Sequence, residues 1–374
     1  MSGSRRRFVA FSAFPENLRA QALVTALRAR GFEVVAPRDR RWHPTAGVLL
    51  GIVPNCWFAL RCRADVAIGF KPHPNVTLPL LICRMRGIAT WIDVDDLDHT
   101  YRNGWPRALV RLVQRPFPRR ATVVTYHNAT LRGYLLREMG CDADRVVRLR
   151  QGVDVATFDA VRGLRARRAP RHGRVVVYSA HLNRANDLRT ILAAWRSVAD
   201  RVPDATLLVV GGGPHLRRYR RMARRYGLAR SVVFTGAVDH ERVPSLLALA
   251  DAAVLYLPPA PFNEHRCSLK LREYLAAEMR VVCNDTGELE RYAPFVYQCG
   301  SSVPSLAAQI VRVLDGYDDG RQVRGCRLVQ SRLDWGRILD AALPDLAARL
   351  DLGPQPPLAE YPTGSSPVPA GVEA

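Results

Sequence analysis

The feature that most constrains the fold is an alternation of strand-like and helix-like segments that begins twice along the chain. In the first half, the apolar run Phe8 to Ser12 is followed by a helical pattern over Glu16 to Arg30 and by a second strand pattern over Glu33 to Ala36. In the second half, a strand pattern over Val175 to Tyr178 precedes a helical pattern over Leu188 to Val198. Such alternation is typical of parallel sheets with helices on both faces. The sequence therefore predicts an α/β protein with two doubly wound domains.

Chain length supports the same division. The 374 residues exceed what one hydrophobic core usually supports. A stretch rich in Arg, Ala, Gly and Pro is a candidate linker. We expect a Rossmann-like domain over residues 1–160, a linker over 161–173 and a second Rossmann-like domain over 174–350. The Pro- and Gly-rich tail, 353–374, is predicted to be disordered.

The charge of the chain limits the partners that it could bind. The formal net charge is +21, which is compatible with a solvated basic surface, an anionic membrane surface or nucleic acid. Nucleic acid is the weakest of the three, because the sequence has neither interleaved aromatic and basic residues nor a zinc-finger spacing. The longest apolar stretch, Ala46 to Leu60, is too short to span a bilayer. It predicts a buried helix or strand, and a helix lying on a membrane is the alternative.

Cysteine usage and the N-terminus bear on location. The eight cysteines form no Cys-x-x-Cys pair and are scattered through apolar runs, which favours buried thiols in a reducing compartment. The N-terminal segment is too short and too soon interrupted for a signal peptide. We expect a cytoplasmic protein, with peripheral association at the inner face of the membrane as a further possibility.

Two lysines stand out among 55 basic residues, Lys71 and Lys270. Lysine is a compact charge and suits a place beside a phosphate where a guanidinium does not fit. Lys270 lies in the first turn of a predicted helix whose leading amides favour a phosphate, those of Cys267, Ser268 and Leu269. Glu273, one turn later, is well placed to accept hydrogen bonds from hydroxyls such as those of a ribose.

A buried strand pattern runs directly into the glycines Gly211, Gly212 and Gly213. Glycines at this place allow a backbone to approach a ligand closely, and they also serve a plain tight turn. Neither half opens with a Gly-x-Gly-x-x-Gly fingerprint, which disfavours a nicotinamide-dependent oxidoreductase.

Several motifs in order resemble the donor domain of the retaining glycosyltransferases of family 4, also called glycosyltransferase group 1, which have the GT-B fold. The motifs are the strand with Gly-Gly-Gly-Pro, the segment Val232-x-Phe-x-Gly-x-Val238, and Lys270-Leu-x-Glu-Tyr-Leu-Ala-Ala277. The segment Gln151-Gly-Val-Asp154 is similar to the family's interdomain motif, with Gln151 where Asn is usual. Asp334-Trp335 resembles its late tryptophan motif.

The resemblance implies transfer of a sugar from a nucleoside diphosphate sugar, UDP- or GDP-linked, with retention of configuration and no obligatory metal or other cofactor. It implies two domains that face each other across a cleft, with the donor on the second. The acceptor, on the first domain, would be a glycan, a lipid-linked sugar or a small molecule, which points to polysaccharide or glycolipid biosynthesis. Glu273 would bind the ribose, and Gly236, Ala237 and Val238 the base.

The chain departs from the family pattern at two places. The first glutamate of the family's Glu-x7-Glu motif falls at His265, so either His265 or the preceding Glu264 takes its role. The family's phosphate-binding arginine and lysine are absent after the strand Val175 to Tyr178, where Arg184 could supply the charge beside Lys270. These departures keep open a catalytically degenerate nucleotide-sugar-binding paralogue, and nucleic-acid binding stands third.

The first half holds candidates for the acceptor side. Lys71, His73 and His127 each follow a predicted strand. An acidic run after the strand Ile88 to Ile92 suggests either a metal cluster or an ordinary acidic loop, Asp93, Asp95, Asp96 and Asp98.

Overall fold

A computed structural model of the chain describes residues 6–14, 17–37, 48–95, 97, 108, 111–112, 114–167 and 173–353. Within these residues the chain divides into two compact units. The first contains the residues up to Gly152 and those from Trp335 onward, and the second contains Val153–Asp334. Apart from Gly353, the predicted disordered tail lies outside the described residues.

The first unit alternates strands and helices, as its apolar pattern predicts. Its elements up to Gly152 are β1 (Arg7–Ser12), α1 (Leu18–Ala29), β2 (Glu33–Val35), α2 (Ile52–Arg61), β3 (Val66–Phe70), α3 (Pro74–Met85), β4 (Ala89–Asp93), β5 (Val123–Tyr126), α4 (Ala129–Arg137) and β6 (Val146–Arg148). The strands form one parallel sheet in the order β2-β1-β3-β4-β5-β6. Along β1, Phe8 and Ala10 pack on one face and Val9 and Phe11 on the other. Helices therefore cover both faces.

The second unit repeats this construction. Its elements are α5 (Ala156–Ala166), β7 (Arg174–Ser179), α6 (Arg189–Arg201), β8 (Ala205–Val210), α7 (Leu216–Arg225), β9 (Val232–Gly236), α8 (Val243–Leu247), β10 (Ala252–Leu255), α9 (Pro261–Glu264), α10 (Leu269–Ala276), β11 (Arg280–Asn284), β12 (Tyr297–Cys299), α11 (Val303–Leu314) and α12 (Arg321–Leu328). The parallel sheet has the order β12-β11-β10-β7-β8-β9. The predicted α/β class with two doubly wound domains is confirmed.

The last helix, α13 (Trp335–Leu350), belongs to the first unit, whereas the sequence assigned residues up to 350 to the second domain. Its Leu339 and Leu343 are buried in the same cluster as Phe8. Arg30 and Asp340 join α1 to α13 through two hydrogen bonds of 2.6 and 2.7 Å. The apolar stripe of an amphipathic helix predicts burial but does not specify which core buries it.

The segment predicted as a linker, 161–173, also differs from expectation. Helix α5 extends to Ala166, and its Phe158 and Val161 are buried in the core of the second unit. The two units divide between Gly152 and Val153. Residues 168–172 lie outside the described part of the chain.

The long apolar stretch Ala46 to Leu60 is not buried as predicted. Residues 48–50 and α2 are helical, but Ala59 is the one fully buried side chain of α2, and Val53 is 75% exposed. The helix packs on α3, where Asn55 Nδ2 donates to Asn75 O at 2.8 Å. In the part of the chain that the structure describes, no helix is long and apolar enough to cross a bilayer.

Candidate functional site

The segments that follow β7 and β8 and the end of β9 are joined by backbone hydrogen bonds at the carboxyl edge of the second sheet. Open α/β sheets bind ligands at this edge. Leu182 N donates to Gly212 O at 2.7 Å, and Gly211 N donates to Gly236 O at 3.1 Å. Gly211 has a φ of +129°, and a Cβ at this position would overlap Ala180 O. Gly211 and Gly212 are thus packed against protein backbone, since a Cβ on Gly212 would lie 2.9 Å from Ala237 N. These glycines shape the loops that form this edge.

Helix α10 brings Glu273 to the same edge. Glu273 is 1% exposed, and its Oε1 lies 3.4 Å from Nε2 of His240 in the loop after β9. Its Oε2 is buried and has no hydrogen-bond partner among the described residues. A buried carboxylate oxygen without a partner is costly, and a ligand hydroxyl would satisfy it. This arrangement fits the predicted role of Glu273.

His240 was not among the predicted site residues. It lies just after the Gly236 to Val238 segment, in the short turn His240–Arg242, and its side chain is 47% exposed. Its position directly after a loop assigned to the base was the available signal. Pairing with Glu273, which is distant in sequence, could not be read from that signal. Ala237 is exposed, while Val238 packs against the core of the unit.

Lys270 lies in the first turn of α10. Its side chain is partly exposed and makes no hydrogen bond or ion pair with another described residue. Leu269, which precedes it, packs against the core and fixes the start of the helix. The positive charge of Lys270 and the positive end of the helix dipole therefore act at one place.

Glu288 occupies part of the start of α10, where the sequence predicts that backbone amides bind a phosphate. Its carboxylate accepts hydrogen bonds from the Ser268 amide, from Cys267 Sγ at 3.0 Å, and from both Nη1 and Nη2 of Arg272 at 3.0 Å. The prediction that the Ser268 amide faces a ligand is wrong, because Glu288, twenty residues away, already satisfies it. The amides of Leu269 and Lys270 remain as candidates, since the first amides of a helix have no intrahelical acceptor.

The Arg272 and Glu288 side chains are 3% and 9% exposed. Burial by itself raises the pKa of the Glu288 carboxyl. The charge of Arg272 and the hydrogen bonds from Arg272, Cys267 and Ser268 outweigh burial and hold this pKa below its ordinary range. Glu288 is therefore an anion that fixes the loop leading into Lys270.

His265 and Glu264 differ in their surroundings. Glu264 is exposed at the end of α9, whereas His265 is partly buried. Burial lowers the pKa of His265, and the nearby Glu264 charge opposes this only in part. His265 is therefore mainly neutral at pH 7 and suited to donate or accept a hydrogen bond.

The loop that carries Arg184 lies beside the loop that carries His265. Arg266 Nη1 donates to Ala185 O at 3.2 Å. Asn183 Oδ1 accepts hydrogen bonds from the amides of Ala185 and Asn186, at 2.9 and 3.1 Å, so the loop is ordered. Arg184 itself is exposed. The predicted donor-side residues therefore lie on the loops and on helices α9 and α10 at the carboxyl edge of the second sheet.

In the first unit, Lys71, His73 and His127 all lie at the carboxyl edge of the sheet. Lys71 has a φ of +65°, and its Nζ lies 3.4 Å from Asp95 Oδ1. His127 is buried, and its Nε2 is hydrogen-bonded to Asp95 O. His73 packs edge-on against Phe14, with ring centroids 5.3 Å apart. A lysine in the left-handed region is a strained backbone position, which is more common at functional sites than elsewhere.

In the acidic run that begins at the end of β4, the two described residues, Asp93 and Asp95, form separate ion pairs. Asp93 is buried and binds Arg19 through two hydrogen bonds of 2.7 and 2.9 Å. The same guanidinium donates to Leu149 O and Arg150 O, so the pair fixes the chain just before the second unit begins. Asp96 and Asp98 lie outside the described residues. Among the residues that are described, no group of three possible metal ligands occurs.

Comparison with known proteins identifies the second unit. A sequence model of the family described as "Glycosyl transferases group 1" matches residues 173–316. Residues 173–316 thus match a glycosyltransferase group 1 domain. The retaining family 4 resemblance drawn from the motifs is consistent with this match.

Curated relatives of the group 1 domain include two GDP-mannose-dependent alpha-(1-6)-phosphatidylinositol monomannoside mannosyltransferases. The protein from Mycobacterium tuberculosis is 34% identical over 260 residues, which are 67% of this chain and 64% of the relative. The protein from Mycolicibacterium smegmatis is 34% identical over 158 residues, 41% of each chain. The chain thus spans less than two thirds of the length of either relative.

A solved structure shares the fold over nearly the whole chain. Sucrose-phosphate synthase from Thermosynechococcus elongatus superposes with a TM-score of 0.73 at 18% identity, covering 92% of this chain and 99% of that protein. The two six-stranded parallel sheets with their helices are thus of the GT-B class.

Proposed function

We propose that the protein transfers a sugar from a nucleoside diphosphate sugar to an acceptor hydroxyl with retention of configuration. The observation that carries the proposal is Glu273, a buried carboxylate with one unsatisfied oxygen inside a group 1 domain. Lys270 on α10 and Arg184 in the loop after β7 add positive charge at the carboxyl edge of the same sheet, which would stabilise a diphosphate.

In the proposed reaction, the bond between the anomeric carbon and the diphosphate oxygen breaks, and a bond to the acceptor oxygen forms on the same face. The products are the glycosylated acceptor, a nucleoside diphosphate and a proton. The transition state is oxocarbenium-like, and the main demand on the protein is to stabilise the leaving diphosphate. Lys270, Arg184 and the amides of Leu269 and Lys270 fill that role, while Glu273 binds the ribose and Gly236 to Val238 contact the base. No residue in this scheme requires a metal.

The donor proposed first is a GDP-sugar, with mannose as the first sugar to test, and a UDP-sugar is second. The names of the curated relatives support this order. Between His265 and Glu264, we assign contact with the donor sugar to the partly buried His265. On the acceptor side we propose Lys71, His73 and His127, and the acceptor as a glycan or a lipid-linked sugar. We also propose a cytoplasmic location, and a net charge of +21 supports peripheral association with an anionic membrane.

The test is Lys270→Ala, assayed by release of nucleoside diphosphate and by product formation. We expect a loss of about a hundredfold or more in kcat, as for removal of one group that stabilises a developing anion. The matched control is Arg201→Ala, an exposed cation at the end of α6, which precedes β8 and so lies at the opposite, amino edge of the sheet. Undiminished transfer by Lys270→Ala would refute the assignment.

If the protein is instead a catalytically degenerate nucleotide-sugar-binding paralogue, different results are expected. Such a protein would show thermal stabilisation by GDP- or UDP-sugars, because a ligand that binds only the folded state stabilises it. It would release no nucleoside diphosphate with any acceptor or with water. Detectable turnover by the wild-type protein removes this alternative.

A further inference from the structure

Large apolar side chains are exposed mainly on one part of the first unit. Eight of the thirteen exposed large hydrophobic residues in the described chain lie between positions 49 and 85. They include Val53 and Met85, which are 75% and 80% exposed. We call this set the α2–α3 face, and it consists of Leu49, Leu50, Val53, Trp57, Leu60, Leu78, Leu81 and Met85.

The spacing of these residues places them on one side of each helix. Val53, Trp57 and Leu60 follow the i, i+4, i+7 positions of α2, and Leu78, Leu81 and Met85 follow i, i+3, i+7 of α3. The two helices pack together, since Arg86 Nη1 donates to Ala59 O in addition to the contact between Asn55 and Asn75. The two exposed stripes therefore lie on helices that pack together.

The surroundings of the face are basic. Arg61 ends α2 and Arg63 follows it, Arg84 and Arg86 lie at the end of α3, and all four are exposed. Neither helix contains an acidic residue, and the single acid between positions 48 and 92 is Asp65. Asp65 already pairs with Arg6 and accepts from the Arg7 amide.

Trp57 stacks under Arg61, with the guanidinium carbon 3.4 Å from the ring centroid. Tryptophan beside arginine suits the boundary between lipid headgroups and acyl chains, where an aromatic ring is half in an apolar medium and a cation meets phosphate. Apolar stripes with basic ends are the pattern of helices that lie in the plane of an anionic bilayer.

We propose that the α2–α3 face docks on an anionic lipid bilayer by inserting its apolar stripes below the phosphate level, with the four arginines on lipid phosphates. This deepens the peripheral association in the proposed function by naming the surface that makes it. Helix α3 begins directly after Lys71 and His73. Docking through α3 would therefore hold the acceptor-side residues close to the membrane, where a lipid-linked acceptor is found.

The experiment is co-sedimentation with vesicles of phosphatidylcholine alone or mixed with phosphatidylglycerol, at low and at high salt. The wild-type protein is expected to bind the mixed vesicles, and binding is expected to weaken with salt because exposed charges are screened. The double variant Trp57→Glu with Met85→Glu is expected to lose about tenfold or more in partitioning, since it places two carboxylates in the interface. Val233→Glu changes another half-exposed apolar residue, in the second unit, and should bind as the wild type does.

Unchanged binding of the double variant, with an unchanged melting temperature, would overturn the proposal. So would concentration-dependent self-association of the wild type that the variant abolishes, if no vesicle binding accompanies it, because the occupant would then be a second copy of the chain. Transfer to a water-soluble acceptor by the double variant should equal the wild-type rate. Vesicle binding without any transfer would reject the enzymatic proposal and leave this surface assignment standing.

Discussion

The pair formed by Arg272 and Glu288 gives a quantitative prediction about the donor-side loop. Glu288→Ala removes the acceptor of the Ser268 amide, of Cys267 Sγ and of two N–H groups of Arg272. Arg272, 3% exposed, would keep hydrogen bonds to Ser268 O at 2.8 Å and to the Tyr292 hydroxyl at 3.0 Å, and would lose the counter-charge of Glu288.

The expected cost is about 3–5 kcal/mol in the free energy of unfolding of the second unit, which is the range for breaking a buried ion pair by removing one partner. Adding Arg272→Met should recover part of this loss, because the second change removes the uncompensated charge. The exposed pair Arg174–Asp315 is the control. Asp315→Ala should cost less than about 1 kcal/mol, since solvent screens that pair.

Native-state hydrogen exchange of the full-length protein measures the effect where it is expected. The amides of α10 and β11 should lose most of the 3–5 kcal/mol in opening free energy, and the amides of the first unit should not. A loss below about 1 kcal/mol would refute the reasoning, because the pair would then contribute no more than an exposed one. So would a loss in the double variant equal to the sum of the two single losses, because the residues would then act independently.

Further predictions concern loop packing and pH. Gly211→Ala should destabilise the second unit by more than about 2 kcal/mol, because the new Cβ overlaps Ala180 O at a positive φ. Gly163→Ala, inside α5 with open space around the Cβ position, should instead stabilise by about 0.5–1 kcal/mol, and urea unfolding of both variants compares them. The lowered pKa of His265 contributes stability that is fully present above about pH 6.5 and is lost as pH falls from there through the folded-state pKa. His265→Gln should remove this part of the pH dependence of unfolding, and an unchanged profile would argue against it. The lowered pKa of Glu288 contributes stability that is present above about pH 4.3 and is lost as pH falls through its folded-state value. Glu288→Gln should flatten the acid limb, and an equal acid loss in this variant would contradict the assignment.

The sequence by itself determined the elements and their class. Strands covered on both faces read as continuous apolar runs, and their helices as 3.6-residue periods, so β1, β7 and β8 could be placed from local pattern. The motif carrying Lys270 and Glu273 could also be found, because its residues are neighbours on one helix.

Only the tertiary structure decided which surfaces meet. The apolar stripe of α13 required burial, but its assignment to the first unit depends on the buried cluster that contains Phe8 and on the pairing with Arg30, over three hundred residues away. The apolar run that became α2 carried no local sign that its outer stripe stays exposed. Glu288 accepts a hydrogen bond from the Ser268 amide, and His240 lies beside Glu273, because loops from different strands converge at one sheet edge. Local periodicity reports whether a side chain favours burial, whereas its partner is set by the folding of distant segments together.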